Sequence, residues 1–115
     1  MSKPTMRPTI PGPDPEPRTP KFRLPPLSCD AHTHIFGPGD KYPYAEGRPY
    51  TPPDAPLENF RALHAQLGIG RAVIVNASVH ATDKRVALHA LAVCNRTSRS
   101  VANTDDGIPS RALRE

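Results

Sequence analysis

The sequence predicts an α/β fold built on a parallel sheet. Short β-branched runs alternate with segments of helical periodicity, and the clearest run, RAVIVNA at 71–77, holds four apolar residues in succession. A continuous run of this kind marks a strand covered on both faces, as in parallel sheets. The order is strand, helix, strand, helix, strand and the opening of a further helix, and such alternation implies right-handed crossovers.

The first segment, residues 1–26, is crowded with proline, with Lys, Arg, Asp and Thr filling the gaps. Almost nothing in it can build a core, so it is expected to be a disordered or polyproline-like leader, leaving residues 27–115 as the folded unit. Its PTIP and PRTP steps match a minimal proline-helix recognition pattern, which composition alone accounts for. Leu27 to Phe36 reads as the first strand, stopped by Gly37, Pro38 and Gly39. A loop with Tyr42, Tyr44, Arg48 and Tyr50 then runs to Pro56. Loops of such length are uncommon in compact domains, and three tyrosines argue for a packed, functional one.

Leu57, Phe60, Leu63, His64 and Leu67 fall at spacings of three and four, so a helix starts with Pro56 in its first turn and stops at Gly68 or Gly70. After the strand at 71–77, a second helix runs from about Asp83 to Cys94 on an apolar face of Val86, Ala87, Ala90, Leu91 and Cys94. Arg99 to Asn103 is a weaker third strand, and Pro109 to Glu115 opens a third helix.

Composition narrows the function. No apolar run approaches the roughly 18 residues of a membrane span, and the N-terminus lacks the apolar core of a signal peptide. A cytoplasmic protein is expected. Cys29 and Cys94 stand in apolar contexts and read as buried, reduced thiols. The formal net charge is +4, but the arginines are scattered among acids with few aromatics to stack bases, which argues against nucleic acid. A small anionic substrate suits the surplus equally well.

The chemistry is concentrated in CDAHTHIFGPGDKYPY, residues 29–44. Alternate residues of a strand share a face, so His32 and His34 present both imidazoles to one place at the carboxyl end of the first strand. Ligands bind at the carboxyl ends of strands in parallel sheets and barrels, where Ser78 and His80 also fall. By parity, Asn76 and Ser78 are expected to line the site, with Val73, Val75 and Ala77 meeting the helices. Plainer roles stand beside these: Ser78 can cap the following turn, His64 suits packing against its leucines, and His89 suits a solvated helix face.

The segments LPPLSCDAHTHIFGPGDKYPY, YTPPDAP and VIVNASVH together resemble the 2-pyrone-4,6-dicarboxylate hydrolase-like branch of the amidohydrolase superfamily, over about Pro25 to Asp106. The resemblance implies the N-terminal part of a TIM barrel, about three of its eight β/α units. It implies that His32 and His34 are the histidine pair of the active site, catalytic and metal-ligating. In many relatives that pair binds a divalent metal, usually zinc, whereas this branch includes members that work without one. Tyr50 and Ser78 match positions that contact substrate, and the implied reaction is hydrolysis of a lactone bearing carboxylates.

The family also uses a histidine on a middle strand, an acid on the last strand and arginines on later loops. A chain of 115 residues is short of the roughly 250 of such a barrel. The expectation is therefore a fragment of a lactone-hydrolysing enzyme, inactive alone, with self-association through uncovered barrel faces. The other reading is a non-catalytic remnant, or a small protein that binds a metal or ligand through the histidine pair.

Overall fold

The structure is a computed structural model that describes residues 8–113. Five principal elements follow in order: β1 (Cys29–Thr33), α1 (Leu57–Leu67), β2 (Arg71–Val75), α2 (Arg85–Cys94) and β3 (Ser98–Val101). The three strands form one parallel sheet in the order β1-β2-β3. The β/α alternation and its parallel sense are those the sequence predicts.

The AVIV run lies in β2, the central strand, which takes hydrogen bonds on both edges. Its register places Ala72 against Ser98 and Val75 against Val101 on one side, and Cys29 against Arg71 on the other. The first strand is shorter than its apolar run suggests. The register shifts between Asp30 and Thr33, which marks an irregularity in the ladder. Beyond it, Phe36 forms an isolated antiparallel bridge with Ala55, through Phe36 N–H to the Ala55 carbonyl at 3.1 Å and the reciprocal bond at 2.8 Å. This bridge closes the neck of the tyrosine loop.

Helix α1 begins on Pro56 as its N-cap, one position earlier than the first turn. It ends at Gly68, whose φ of 75° lets the chain turn back without a Cβ penalty. The Ile69 N–H then reaches the His64 carbonyl at 2.9 Å. Helix α2 starts two residues later than the sequence pattern suggests, because Asp83 turns its carboxylate onto the Arg85 N–H at 3.1 Å and the Arg85 guanidinium at 2.6 Å. Hydrogen bonding to Arg85 pulls the Asp83 carboxyl down to about 2. The third helix is a single 3₁₀ turn, Ser110–Leu113; residues 114 and 115 lie outside the described residues.

The core is one cluster of Ile35, Tyr42, Leu57, Ile74, Val86, Ala87 and Ala90, with Phe60 and Cys94 packed against it. Ile74, 1% exposed, joins the helices to the sheet. Burying a side chain of that size is worth roughly 1.5–3 kcal/mol. The parity expected for β2 is reversed: Ala72 and Ile74 are buried toward the helices, whereas Val73 and Val75 are only half-buried on the opposite face. A strand apolar on both faces carries no alternation from which its facing can be read. Cys29 is exposed and Cys94 half-buried, so neither is the fully buried thiol expected, although both are free. Cys29 opens β1, which lies at the edge of the sheet among the described residues.

Within the leader, residues 8–26 form no helix or strand, apart from a bridge between Thr9 and Thr51. The Thr51 N–H meets the Pro8 carbonyl at 2.8 Å, and the Gln66 amide donates to the Pro17 carbonyl at 2.6 Å and to Thr19 Oγ1 at 3.0 Å. These bonds lay the stretch along α1, while residues 18–27 are exposed. Exposed, non-helical backbone is the preferred site of nicking. Brief trypsin treatment is therefore expected to cut first after Arg18, Lys21 or Arg23, leaving a resistant product that starts near β1; a first cut at Arg61 inside α1 would contradict this.

Candidate active site

The two histidines of the HTH stretch come together. His32 closes on His34 edge to face, with ring centroids 5.1 Å apart and planes at 82°. Both are exposed on the open face of β1. His34 lies just past the end of the strand, and its Nδ1 is 2.9 Å from the Val75 carbonyl at the end of β2. A carbonyl only accepts, so Nδ1 carries the proton in the neutral ring and Nε2 keeps its lone pair. Phe36 stacks on the other side of His34 at 5.9 Å. The imidazole is thus held in one tautomer and one orientation by neighbouring backbone and an aromatic ring.

The intervening residue serves the fold. Thr33 Oγ1 donates to the Val73 carbonyl at 3.0 Å and helps tie β1 to β2 across the irregular register. On the helix side, Asp30 Oδ2 meets Nε2 of the buried His64 at 3.0 Å, and Phe60 lies 4.0 Å from that ring. His64 is thereby the packing histidine its helical position suggests.

A cleft of about 840 Å³ opens beside His34. Phe36, Asp54 and Phe60 line it, and leader residues 10–15 form one wall. Neither Tyr50 nor Ser78 lines this cleft. Ser78 is exposed and opens a 3₁₀ turn, Ser78–His80, that follows β2. The N-cap of that turn is Ala77, so Ser78 is not spent on capping. Tyr50 is half-buried near the end of the loop, where Arg48 braces the backbone through Thr51 Oγ1 and the Ala45 carbonyl, both at 2.9 Å. Asn76 is buried, and its side-chain amide donates to the Ala81 carbonyl at 2.9 Å. It shapes the turn below Ser78 and does not line the open face.

The sequence puts His80 at a strand end, as a candidate further metal donor, and Tyr44 in the functional loop, but gives neither a partner; in the structure the two organise the loop. His80 is 2% exposed. Its Nε2 faces the Gly37 N–H at 3.4 Å, its Nδ1 faces the Pro43 carbonyl at 3.4 Å, and the Tyr44 ring lies 5.0 Å away. Tyr44 O–H donates to Asp54 Oδ1 at 2.6 Å, and Gly39 N–H reaches the same oxygen at 3.1 Å. Burial, then the Asp54 hydrogen bond and charge, push the Tyr44 phenol far above its ordinary value, with Arg48 opposing. Gly37 has φ of 67°, and a Cβ there would lie 2.6 Å from Asp54 Oδ1. The glycine after the histidine stretch was the available signal, because a packed turn needs both the conformation and the space.

The amidohydrolase family model matches residues 29–115, which include every residue just described except the leader. The chain belongs to the amidohydrolase family. Among curated relatives, a 4-sulfomuconolactone hydrolase from Rhizobium radiobacter is 50% identical over 61% of the chain and 23% of that protein. A 2-pyrone-4,6-dicarboxylate hydrolase from Comamonas testosteroni is 38% identical over 86% of the chain and 32% of that protein. The chain thus spans about a quarter to a third of the length of the curated relatives it matches. An apo crystal structure from Agrobacterium tumefaciens superposes at a TM-score of 0.69 and 28% identity, over 83% of the chain and 35% of its partner in the comparison. A probable 2-pyrone-4,6-dicarboxylic acid hydrolase from Acinetobacter baumannii with citric acid bound superposes at 0.70 and 19% identity, over 76% and 33%. The α/β architecture and the lactone-hydrolase relatives are those the HTHIFGP, YTPPDAP and VIVNASVH segments imply.

Amidohydrolases are commonly metal-dependent, and the donor chemistry here fits part of a metal site. His34 has Nδ1 bonded to a carbonyl and Nε2 left basic, which is the outer-shell arrangement of a metal-ligating histidine. Among the described residues, no group of three or more His, Cys, Asp or Glu side chains is arranged to hold an ion. His80 is not a third donor, since both of its ring nitrogens face backbone partners. Among the described residues no helix is long and apolar enough to cross a membrane.

Proposed function

We propose that this chain supplies the first part of an active site that hydrolyses small anionic lactones, with His32 and His34 at its centre. The observation that carries the reading is the paired imidazoles at the carboxyl end of β1, with His34 locked by the Val75 carbonyl. The lactone-hydrolase names of the relatives supply the substrate class, carboxylated or sulfonated rings.

Ring opening requires water to attack the lactone carbonyl carbon, the ring C–O bond to break, and the released oxygen to take a proton. A base must accept the proton of water, and donors must hold the developing oxyanion. In neutral His34 the available atom is Nε2 with its lone pair, suited to hold a cation or accept a proton. Only the protonated ring donates to a carbonyl oxygen from that atom. His32 sits against it and shares the same face, so the two imidazoles act on one ligand atom. Ser78 and Tyr50, on the turn after β2 and at the far end of the loop, are assigned to the anionic substituents. A divalent cation, when bound, supplies Lewis acidity toward the carbonyl.

Two imidazoles fall short of the three or more protein donors of a tight zinc site. Zinc is therefore expected to leave the purified chain on dialysis. Stoichiometric zinc retained after dialysis and lost in His32→Ala would show a further donor. The test of function is a chimera in which residues 29–106 replace the matching stretch of the Comamonas testosteroni hydrolase. Loss of ring absorbance from a dicarboxylated pyrone is expected with the chimera and not with the 115-residue chain alone. A soluble, folded chimera without turnover would refute the assignment.

A further inference from the structure

The clasp is built around the buried, titratable ring of His80 and has no part in the chemistry above. We propose that neutral His80 is the positioning residue that ties the loop after β1 to the turn after β2, and that its protonation releases the loop. Functionally this deepens the lactone-hydrolase reading and rests on it, because the tie sets the spacing of His34, Tyr50 and Ser78.

The geometry accepts only one form of the ring. The Pro43 carbonyl requires a proton on Nδ1, and the Gly37 N–H requires a lone pair on Nε2. A second proton would set Nε2–H against Gly37 N–H, two donors facing each other in a site 2% exposed. The loop is fixed on both sides of these contacts. The Ala45 N–H reaches the Val79 carbonyl at 2.7 Å, next to His80, and Tyr44 stacks on the ring while bonded to Asp54. One imidazole therefore holds the loop at Gly37, Pro43 and Tyr44, two residues beyond Ser78.

The groups facing His80 divide in their effect. Burial disfavours the cation and dominates, whereas the Pro43 carbonyl and the nearby Asp83 carboxylate favour it, so the ring titrates below its ordinary value. Asp83 is itself neutralised by Arg85, and Asp54 is one residue removed behind Tyr44, with Arg48 nearby. A histidine depressed on folding takes up more protons when unfolded at acid pH. The contribution of the clasp is therefore complete above the ordinary histidine value of 6.5 and is lost as pH falls toward the depressed folded value.

Amide exchange on the ¹⁵N-labelled full chain tests this without requiring turnover. Protection factors are read at Gly37 and Ala45, with Asn76, bonded to the Val101 carbonyl at 2.9 Å, as the control. Between about pH 7.5 and about pH 5, Gly37 and Ala45 are expected to lose about tenfold in protection while Asn76 keeps its own. The loss should track the His80 ring resonance. His80→Gln retains a donor and an acceptor but does not titrate, so protection should persist at both values. In His80→Phe it should be lost at both, with Asn76 still protected. Equal wild-type protection at the two values, an acid-sensitive Gly37 in His80→Gln, or full Gly37 protection in His80→Phe would overturn the proposal. The wild-type titration decides even where a variant does not fold. An inactive chimera with an acid-sensitive clasp would remove the lactone reading and leave the clasp standing.

Discussion

His32→Ala combined with His34→Ala is expected to lower kcat/KM of the chimera for a dicarboxylated pyrone by about 10²–10⁴-fold, the scale of losing acid–base participation. The two rings lie edge to face at 5.1 Å, and on the proposed reading they act on one substrate, so their effects should be strongly non-additive. Either single substitution is expected to cost nearly as much as the pair. The substitutions lie on an exposed face, so the unfolding midpoint should move little. A chimera with full turnover after both substitutions would exclude the pair from the chemistry. Loss of turnover with an equal collapse of the midpoint would instead assign the pair to folding.

Ile74→Ala is expected to destabilise the chain by about 2–5 kcal/mol, the range for removing a buried Ile side chain and leaving part of the cavity. Ile74 is 1% exposed and stands where β2 meets Leu57 of α1 and Val86, Ala87 and Ala90 of α2. Natural domains hold roughly 5–15 kcal/mol in all, and a three-stranded sheet has little surplus. Urea unfolding followed by far-ultraviolet circular dichroism should show the shift in midpoint. Val73→Ala, on the opposite, half-buried face, should cost distinctly less. Equal costs at 73 and 74 would contradict the observed facing of β2.

That facing is where the sequence was least legible. The alternation of elements could be read because helix and strand have different periods: Leu57, Phe60, Leu63, His64 and Leu67 repeat at three and four, and AVIV does not. Which side of β2 meets the helices could not be read, since Ala72, Val73, Ile74 and Val75 are all apolar. Element ends depended on tertiary contacts. β1 stops at Thr33, where the chain swings out to pair Phe36 with Ala55, and α2 opens at Arg85, whose N–H and guanidinium are both held by the Asp83 carboxylate.

The candidate site was legible for its exposed members and obscure for its buried one. A histidine pair before Gly-Pro-Gly is visible as a pattern, and the pair does meet. His80 could be placed at the strand end beside Ser78, but not in the clasp it forms. Its partners are backbone groups of Gly37 and Pro43, more than thirty positions upstream, and backbone partners leave no trace in residue type.

The bridge between Phe36 and Ala55 has a consequence for how this region can diversify. It closes the loop into a ring with its own neck, so changes of length between the clasp at Tyr44 and the neck need not disturb the sheet. Closing a longer loop costs little, about 0.6 kcal/mol for each doubling of its length. Tyr50 and its neighbours thus sit on an interchangeable cassette, while His32 and His34 stay anchored to the ladder below it. On the proposed lactone-hydrolase reading, lengthening or recomposing residues 46–50 offers a route to new ring substituents with the histidine pair unchanged.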